Sequence, residues 1–247
     1  MYLSKILGVL LILLSMLFLG LQLLGEEHHA FGVKAIGMSM LVVLYFFGVK
    51  KKHVLFMLFL LAYSAAEVHN YITYNLLPTA DATYDLHYLI GNTLYISAYV
   101  FLILRIFSVM NFKKAVSRFP FQIGLLFILG VFVVYLVTDL SNFGMIFDYS
   151  HSVELFYNSI IMFLVCLALI NYMYNDTKKS MNLLIGSICI IFSEVIQIAY
   201  FYVSNHDNAL NVLYSCFLVG AFIFFFIQSK LSEEYNPIYE RHQELKD

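Results

Sequence analysis

Long apolar runs separated by short polar interruptions set the pattern of this chain. Eight runs of about twenty residues cover 4–24, 31–49, 54–75, 87–107, 119–138, 153–174, 181–203 and 210–229. A helix of that length crosses the hydrocarbon core of a bilayer, so the pattern predicts an all-α polytopic membrane protein with eight transmembrane helices. Only three prolines occur and none lies in the middle of a run, which suits unbroken helices. Residues 1–230 read as a single transmembrane domain, and 231–247, where acidic and basic residues mix, as a solvated cytoplasmic tail.

Composition agrees with the pattern. At 62% hydrophobic against 12% charged residues, the chain is too apolar for an ordinary soluble domain. No glycine-rich phosphate loop, nucleophile elbow or nucleic-acid signature is present, so nucleic acid is not an expected partner. The first run follows Lys5, as in a signal peptide, but Ile6–Leu24 is long enough to span. The residues after it, Gly25, Glu26, Glu27, His28 and His29, make no small-x-small cleavage site. Cys166, Cys189 and Cys216 lie inside runs without CxxC spacing and read as packing residues.

Charge sets the orientation. Lys5, Lys50 to Lys52, Arg105, Lys113, Lys114, Arg118, Lys178, Lys179, Lys230, Arg241 and Lys246 fall on one side. The opposite loops carry Glu26, Glu27, Asp81, Asp85, Asp139, Asp148 and Asp207. Thirteen of fourteen basic residues share a side, which places both termini in the cytoplasm and requires an even number of spans. Lys34, near the outer end of the second span, is the exception. It reads either as a snorkelling lysine or as the partner of a headgroup or carboxylate. Six of the eight histidines (His28, His29, His69, His87, His151, His206) also lie on the outer side.

Two glutamates break the apolar runs. Glu67 and Glu194 each cost about 3 kcal/mol inside a span and need a partner, a cavity or a task. They are 127 residues apart, and the same offset carries Lys51 and Lys52 onto Lys178 and Lys179, Val68 onto Val195 and Leu86 onto Leu213. Spans one to four therefore read as a parallel repeat of spans five to eight, with both glutamates at similar depth in the outer half. Polar residues lie near them at helical spacing: Tyr63, Glu67, Asn70, Tyr71 and Tyr74; Tyr88, Asn92, Tyr95 and Tyr99; His151, Glu154 and Asn158; Ser193, Glu194, Gln197 and Tyr200. Such stripes face a cavity or bond neighbouring helices, since turning them to lipid would strand polar groups.

Several functions fit these residues. A membrane hydrolase, a non-catalytic sensor or structural bundle, and a proton-coupled transporter all use intramembrane carboxylates. A transporter usually adds broken helices, which are missing here. A metal hydrolase using Glu67, His69, His87, His151 and Glu154 lacks the His-x3-His or HExxH spacing that would recommend it, so neither metal nor cofactor is expected.

The run Gly186-x3-Ile190-x2-Ser193-Glu194 resembles the seventh-span signature of the YhhN-like membrane family, the lysoplasmalogenases, which has Gly, Phe, Ser and Asp at that spacing. Tyr63-Ser64-Ala65-Ala66-Glu67 resembles the family's third-span Ser-x-x-Asp motif. Lys34 stands where the family keeps a lysine, Gly91 and Tyr95 resemble its fourth-span glycine and aromatic, Tyr157 and Met162 its sixth span, and Tyr214 its eighth. Both family aspartates are glutamates here. Ala35 replaces a proline, Tyr99 stands for a histidine, and no glutamine accompanies Tyr214.

The resemblance implies hydrolysis of the vinyl ether bond of a lysophospholipid in a bacterial inner membrane, with Glu67 and Glu194 catalytic. It implies, with the stripes, that Lys34, Ser64, Asn70, Asn92, Tyr95, Tyr99, Tyr157, Ser193 and Gln197 bind substrate. The reaction needs a proton delivered to carbon, a stabilised oxocarbenium-like cation and an activated water. Two carboxyl groups supply all three when one is protonated and the other ionised, as in glycosidases.

Overall fold

The computed structural model describes residues 2–76, 85–141, 148–202 and 208–231. Residues 232–247 of the expected cytoplasmic tail, among them Arg241 and Lys246, lie outside the described residues, as do Asp81, His206 and Asp207. Nine helices occur among those described: α1 Tyr2–Leu23, α2 Glu27–Gly48, α3 Val54–Thr73, α4 Leu86–Val109, α5 Phe112–Arg118, α6 Pro120–Ser141, α7 Asp148–Asn175, α8 Lys178–Tyr202 and α9 Asn208–Lys230. All but α5 are long and apolar enough to cross a membrane, matching the eight expected spans. The protein is an all-α, multi-pass integral membrane protein. The seven-residue α5, which carries Lys113, Lys114 and Arg118, is an addition to the sequence reading and sits among the basic loops.

Local chemistry fixes the helix ends. Gly25, at φ +74°, closes α1 in a Schellman arrangement: its N–H donates to the Gln22 carbonyl, and that of Glu26 donates to Leu21. This tight stop starts α2 at Glu27, which becomes important below. Asp85 caps α4, accepting from the His87 and Tyr88 N–H groups at 2.9 and 3.1 Å. Before α8, Thr177 and Ser180 exchange side-chain and backbone hydrogen bonds, each at 3.1 Å, in the manner of a capping box.

Helices adjacent in the chain pack side by side, and contacts of α4 with α7 and of α1 with α9 close α1, α2, α3, α4, α7, α8 and α9 into a ring. α6 stands outside the ring against α7 and α8. The most extensive contacts are those of α8 with α9 and of α3 with α4, which occupy corresponding places in the two halves of the expected repeat. The closing contacts have no equivalents of similar extent in the other half.

The α8–α9 seam depends on Gly186. A Cβ there would lie 2.6 Å from the fully buried Phe225 ring and 3.2 Å from the Ala221 carbonyl oxygen, so the absent side chain permits the close approach. Gly186→Ala is expected to cost about 1–3 kcal/mol through overpacking, read as a lower thermal midpoint of the purified protein. Gly124→Ala on α6, where a Cβ meets nothing within 4 Å, is the control and should be neutral.

Midway along the bundle, the interior carries an aromatic layer, and nearer the basic side Arg105, Asn171, Ser180 and Gln228 are buried. Phe222 lies 4.7 Å from Tyr63 and stacks on Phe59 at 6.0 Å, while Phe225 meets Phe59 edge-on at 5.5 Å. This layer forms the floor of the polar cavity described next. Arg105, expected at a helix flank, is instead turned inward and buried, 5.2 Å from the Phe56 ring centre.

Candidate functional site

Glu67 and Glu194 line the same cavity. It measures about 370 Å³ and is enclosed by α2, α3, α4, α7, α8 and α9 at the end opposite the lysine-rich loops. α3 delivers Glu67, which is only 1% exposed, and α2 delivers Lys34, 9% exposed, with 2.8 Å between Nζ and Glu67 Oε2. A buried carboxylate requires such a partner, so the choice between snorkelling and pairing resolves in favour of the ion pair. The Lys34 ammonium also lies 4.9 Å from the Phe31 ring centre, one turn earlier on α2.

Glu194 is held differently. Its Oε1 accepts hydrogen bonds from Tyr157 at 2.8 Å and Tyr99 at 3.2 Å, which come from α7 and α4. The two acids, similar in sequence setting, therefore occupy contrasting environments: one faces an ammonium and the other two phenols. That contrast is how a pair of carboxyl groups divides acid and base roles.

The cavity wall contains most of the residues the sequence singled out. Asn70, Tyr95, Tyr157, Ser193 and Gln197 join Lys34 and the two glutamates. Asn70 donates to the Tyr95 hydroxyl at 2.9 Å. Gly91, one turn before Tyr95, admits Asn70 to this position, because a Cβ there would sit 3.0 Å from Asn70 Oδ1. Ser193 lines the wall while donating to the Tyr214 carbonyl at 2.9 Å, tying α8 to α9 behind Glu194.

Three expected binders lie elsewhere. Tyr99 sits behind Glu194 as its donor and is fully buried. Ser64 points to α2 and shares a hydrogen bond with Ser39 at 3.0 Å, a helix-to-helix contact. Asn92 donates back to the Tyr88 carbonyl of its own helix at 3.0 Å. The polar residues of α7 nearer its start also bond neighbours: Tyr88 donates to Glu154 at 2.8 Å, and Asn158 to Thr138 at 3.1 Å. For these the interhelical reading of the stripes holds.

Glu27 enlarges the site beyond what the sequence reading assigned. It lines the outer mouth and accepts from Tyr74 at 3.3 Å and from Tyr200. The signal was present: Glu27, Phe31 and Lys34 fall at helical spacing on one face of α2. Gln22 on α1 donates to the Tyr214 hydroxyl at 3.1 Å, and Tyr214 lines the cavity. Among the outer histidines, His69 and His87 lie 5.7 Å apart without reaching the cavity wall. Among the described residues, no three His, Cys, Asp or Glu side chains gather as a metal site.

The fold and the cavity define a class: a polytopic membrane protein with an acidic, tyrosine-lined chamber inside its helical ring. No family model, curated protein or solved structure matches the chain.

Proposed function

We propose that this protein is a membrane-embedded hydrolase of the lysoplasmalogenase type, residing in a bacterial inner membrane and cleaving the vinyl ether bond of a lysophospholipid. The observation that carries the reading is the placement of Glu67 and Glu194 on one cavity in contrasting settings.

The chemistry divides between the two acids. Lys34 neutralises Glu67 as a carboxylate, while both phenol bonds to Glu194 fall on Oε1 and leave Oε2 to carry a proton. Glu194 delivers that proton to the vinyl carbon remote from oxygen, and the adjacent carbon becomes an oxocarbenium ion facing the Glu67 carboxylate. Glu67 then takes a proton from the attacking water, whose oxygen bonds to the cationic carbon. The resulting hemiacetal then collapses: its C–O bond to glycerol breaks as its hydroxyl proton is transferred to the departing glycerol oxygen, releasing a fatty aldehyde and a glycerophospho-headgroup. The proton on Glu67 passes to solvent and Glu194 is reprotonated, so one water is consumed per bond cleaved.

The test is incubation of the purified protein in nanodiscs with a lysoplasmalogen, beside an ester lysophospholipid of equal chain length. Aldehyde should appear from the first alone. Its absence with every vinyl ether lipid tried would overturn the reading. It would favour a non-catalytic binding or sensing bundle, which the partnering of both acids by protein groups also suits.

A further inference from the structure

A second cavity of about 250 Å³ runs between α1, α2 and α9. Its wall is hydrocarbon apart from Lys34 and Ser15, and the Ser15 hydroxyl is spent on the Leu11 carbonyl of its own helix at 2.9 Å. Lys34 and Leu218 line both this groove and the acidic chamber, so the two spaces meet at those residues. From that junction the groove descends along α2 through Gly37, Met38 and Leu41 to Leu44. The ten residue steps from Lys34 to Leu44 rise about 15 Å, and half of a bilayer core of about 30 Å is the length of one lipid tail.

Two glycines give the groove its width. A Cβ built on Gly8 of α1 or on Gly37 of α2 meets nothing within 4 Å, although both residues line the wall. Neither glycine is needed for helix approach here, in contrast to Gly186. They keep a passage open between helices that could otherwise fill it with side chains. An apolar cavity of about 150 Å³ already holds a benzene-sized molecule. One of 250 Å³ in this elongated setting suits a single alkyl chain.

We infer that this groove binds the single alkyl chain of a lysolipid, with Lys34 marking the junction where the chain ends and the polar part of the molecule enters the acidic chamber. The inference rests on the hydrolase reading for the identity of the polar part, but the chain site itself requires no chemistry. The Lys34 ammonium, already paired with Glu67, stands where an ether oxygen or glycerol hydroxyl would follow the last apolar carbons. A chain seated here directs the first polar atoms of the lipid toward Glu67 and Glu194, so the groove sets which bond reaches the acids.

The experiment uses the full chain in nanodiscs with a lysophospholipid bearing a diazirine at the end of a sixteen-carbon tail. Photolysis should place the label on groove residues at the deep end, around Gly8–Ile12, Leu41–Leu44 and Ile223–Ile227. Gly37→Leu should lower that labelling about tenfold, equivalent to about 1.4 kcal/mol, and Gly8→Leu should do the same from the opposite wall. Gly37→Ala, which adds only one methyl group to open space, should retain it, and thermal midpoints should show that all three variants fold.

Label spread over bilayer-facing helices such as α6, unchanged by either leucine, would overturn the inference. Groove labelling without aldehyde release supports the chain site and removes only the hydrolase reading. Aldehyde release with labelling that ignores the leucines removes only the chain site. Labelling that is equally competed by a diacyl phospholipid also overturns it, since the groove admits one chain.

Discussion

Glu194→Gln is expected to lower aldehyde release from a lysoplasmalogen by about 10²–10⁴-fold, the contribution of one positioned acid or base. The substitution keeps the side chain's length, and its amide oxygen can still accept from Tyr157 and Tyr99, so the α4, α7 and α8 contacts survive. What disappears, on the proposed mechanism, is the proton delivered to carbon. Glu67→Gln should fall in the same range because the cation then loses its facing anion. Combining the two should reduce activity little beyond the worse single variant, since groups that act as a unit are not additive. Turnover measured by aldehyde trapping, beside thermal midpoints, decides it. Full activity in Glu194→Gln would exclude this residue as the acid.

Lys34→Met should give the largest loss of stability. Glu67 is almost completely buried, and its ammonium partner lies 2.8 Å away. Removing one member of a buried ion pair leaves the other as an uncompensated buried charge, at a cost of about 3–5 kcal/mol. The double variant Lys34→Met with Glu67→Gln removes both charges and should recover most of that loss. A denaturation cycle over wild type, the two singles and the double measures the coupling directly. If Lys34→Met is no less stable than the double variant, the pair contributes nothing to the fold.

The spans were legible because twenty apolar residues leave a chain few alternatives, and Glu67 and Glu194 were legible because a carboxylate in lipid is costly. Their meeting at one cavity was implied by matched depth, but the identity of each partner was not. Lys34 reaches Glu67 through the relative rotation of α2 and α3, which periodicity leaves open. Rotation likewise decided that Ser64 faces Ser39 and that Asn92 bonds its own helix. Glu27 reads as a loop acid from the apolar pattern alone, whereas the Schellman stop at Gly25 begins α2 at Glu27 itself and so places it on the face shared with Lys34. The helix α5 is too short and too basic to carry a hydrophobic signal. The ring-closing contacts join segments distant in the chain, about which local patterning is silent.

The acidic chamber is lined at one end by Glu27, Thr73 and Tyr74, all at helix ends on the face opposite the lysine-rich loops, while the aromatic layer around Tyr63 and Phe222 lies beneath it. On the orientation that the charge pattern predicts, water and protons should reach the chamber from the outer compartment. With the cytoplasm on the lysine-rich side, turnover in sealed vesicles should follow the acidity of the external medium and ignore that of the lumen facing Lys178. The two products would then part by compartment, the headgroup fragment leaving to the exterior while the aldehyde stays in the lipid phase.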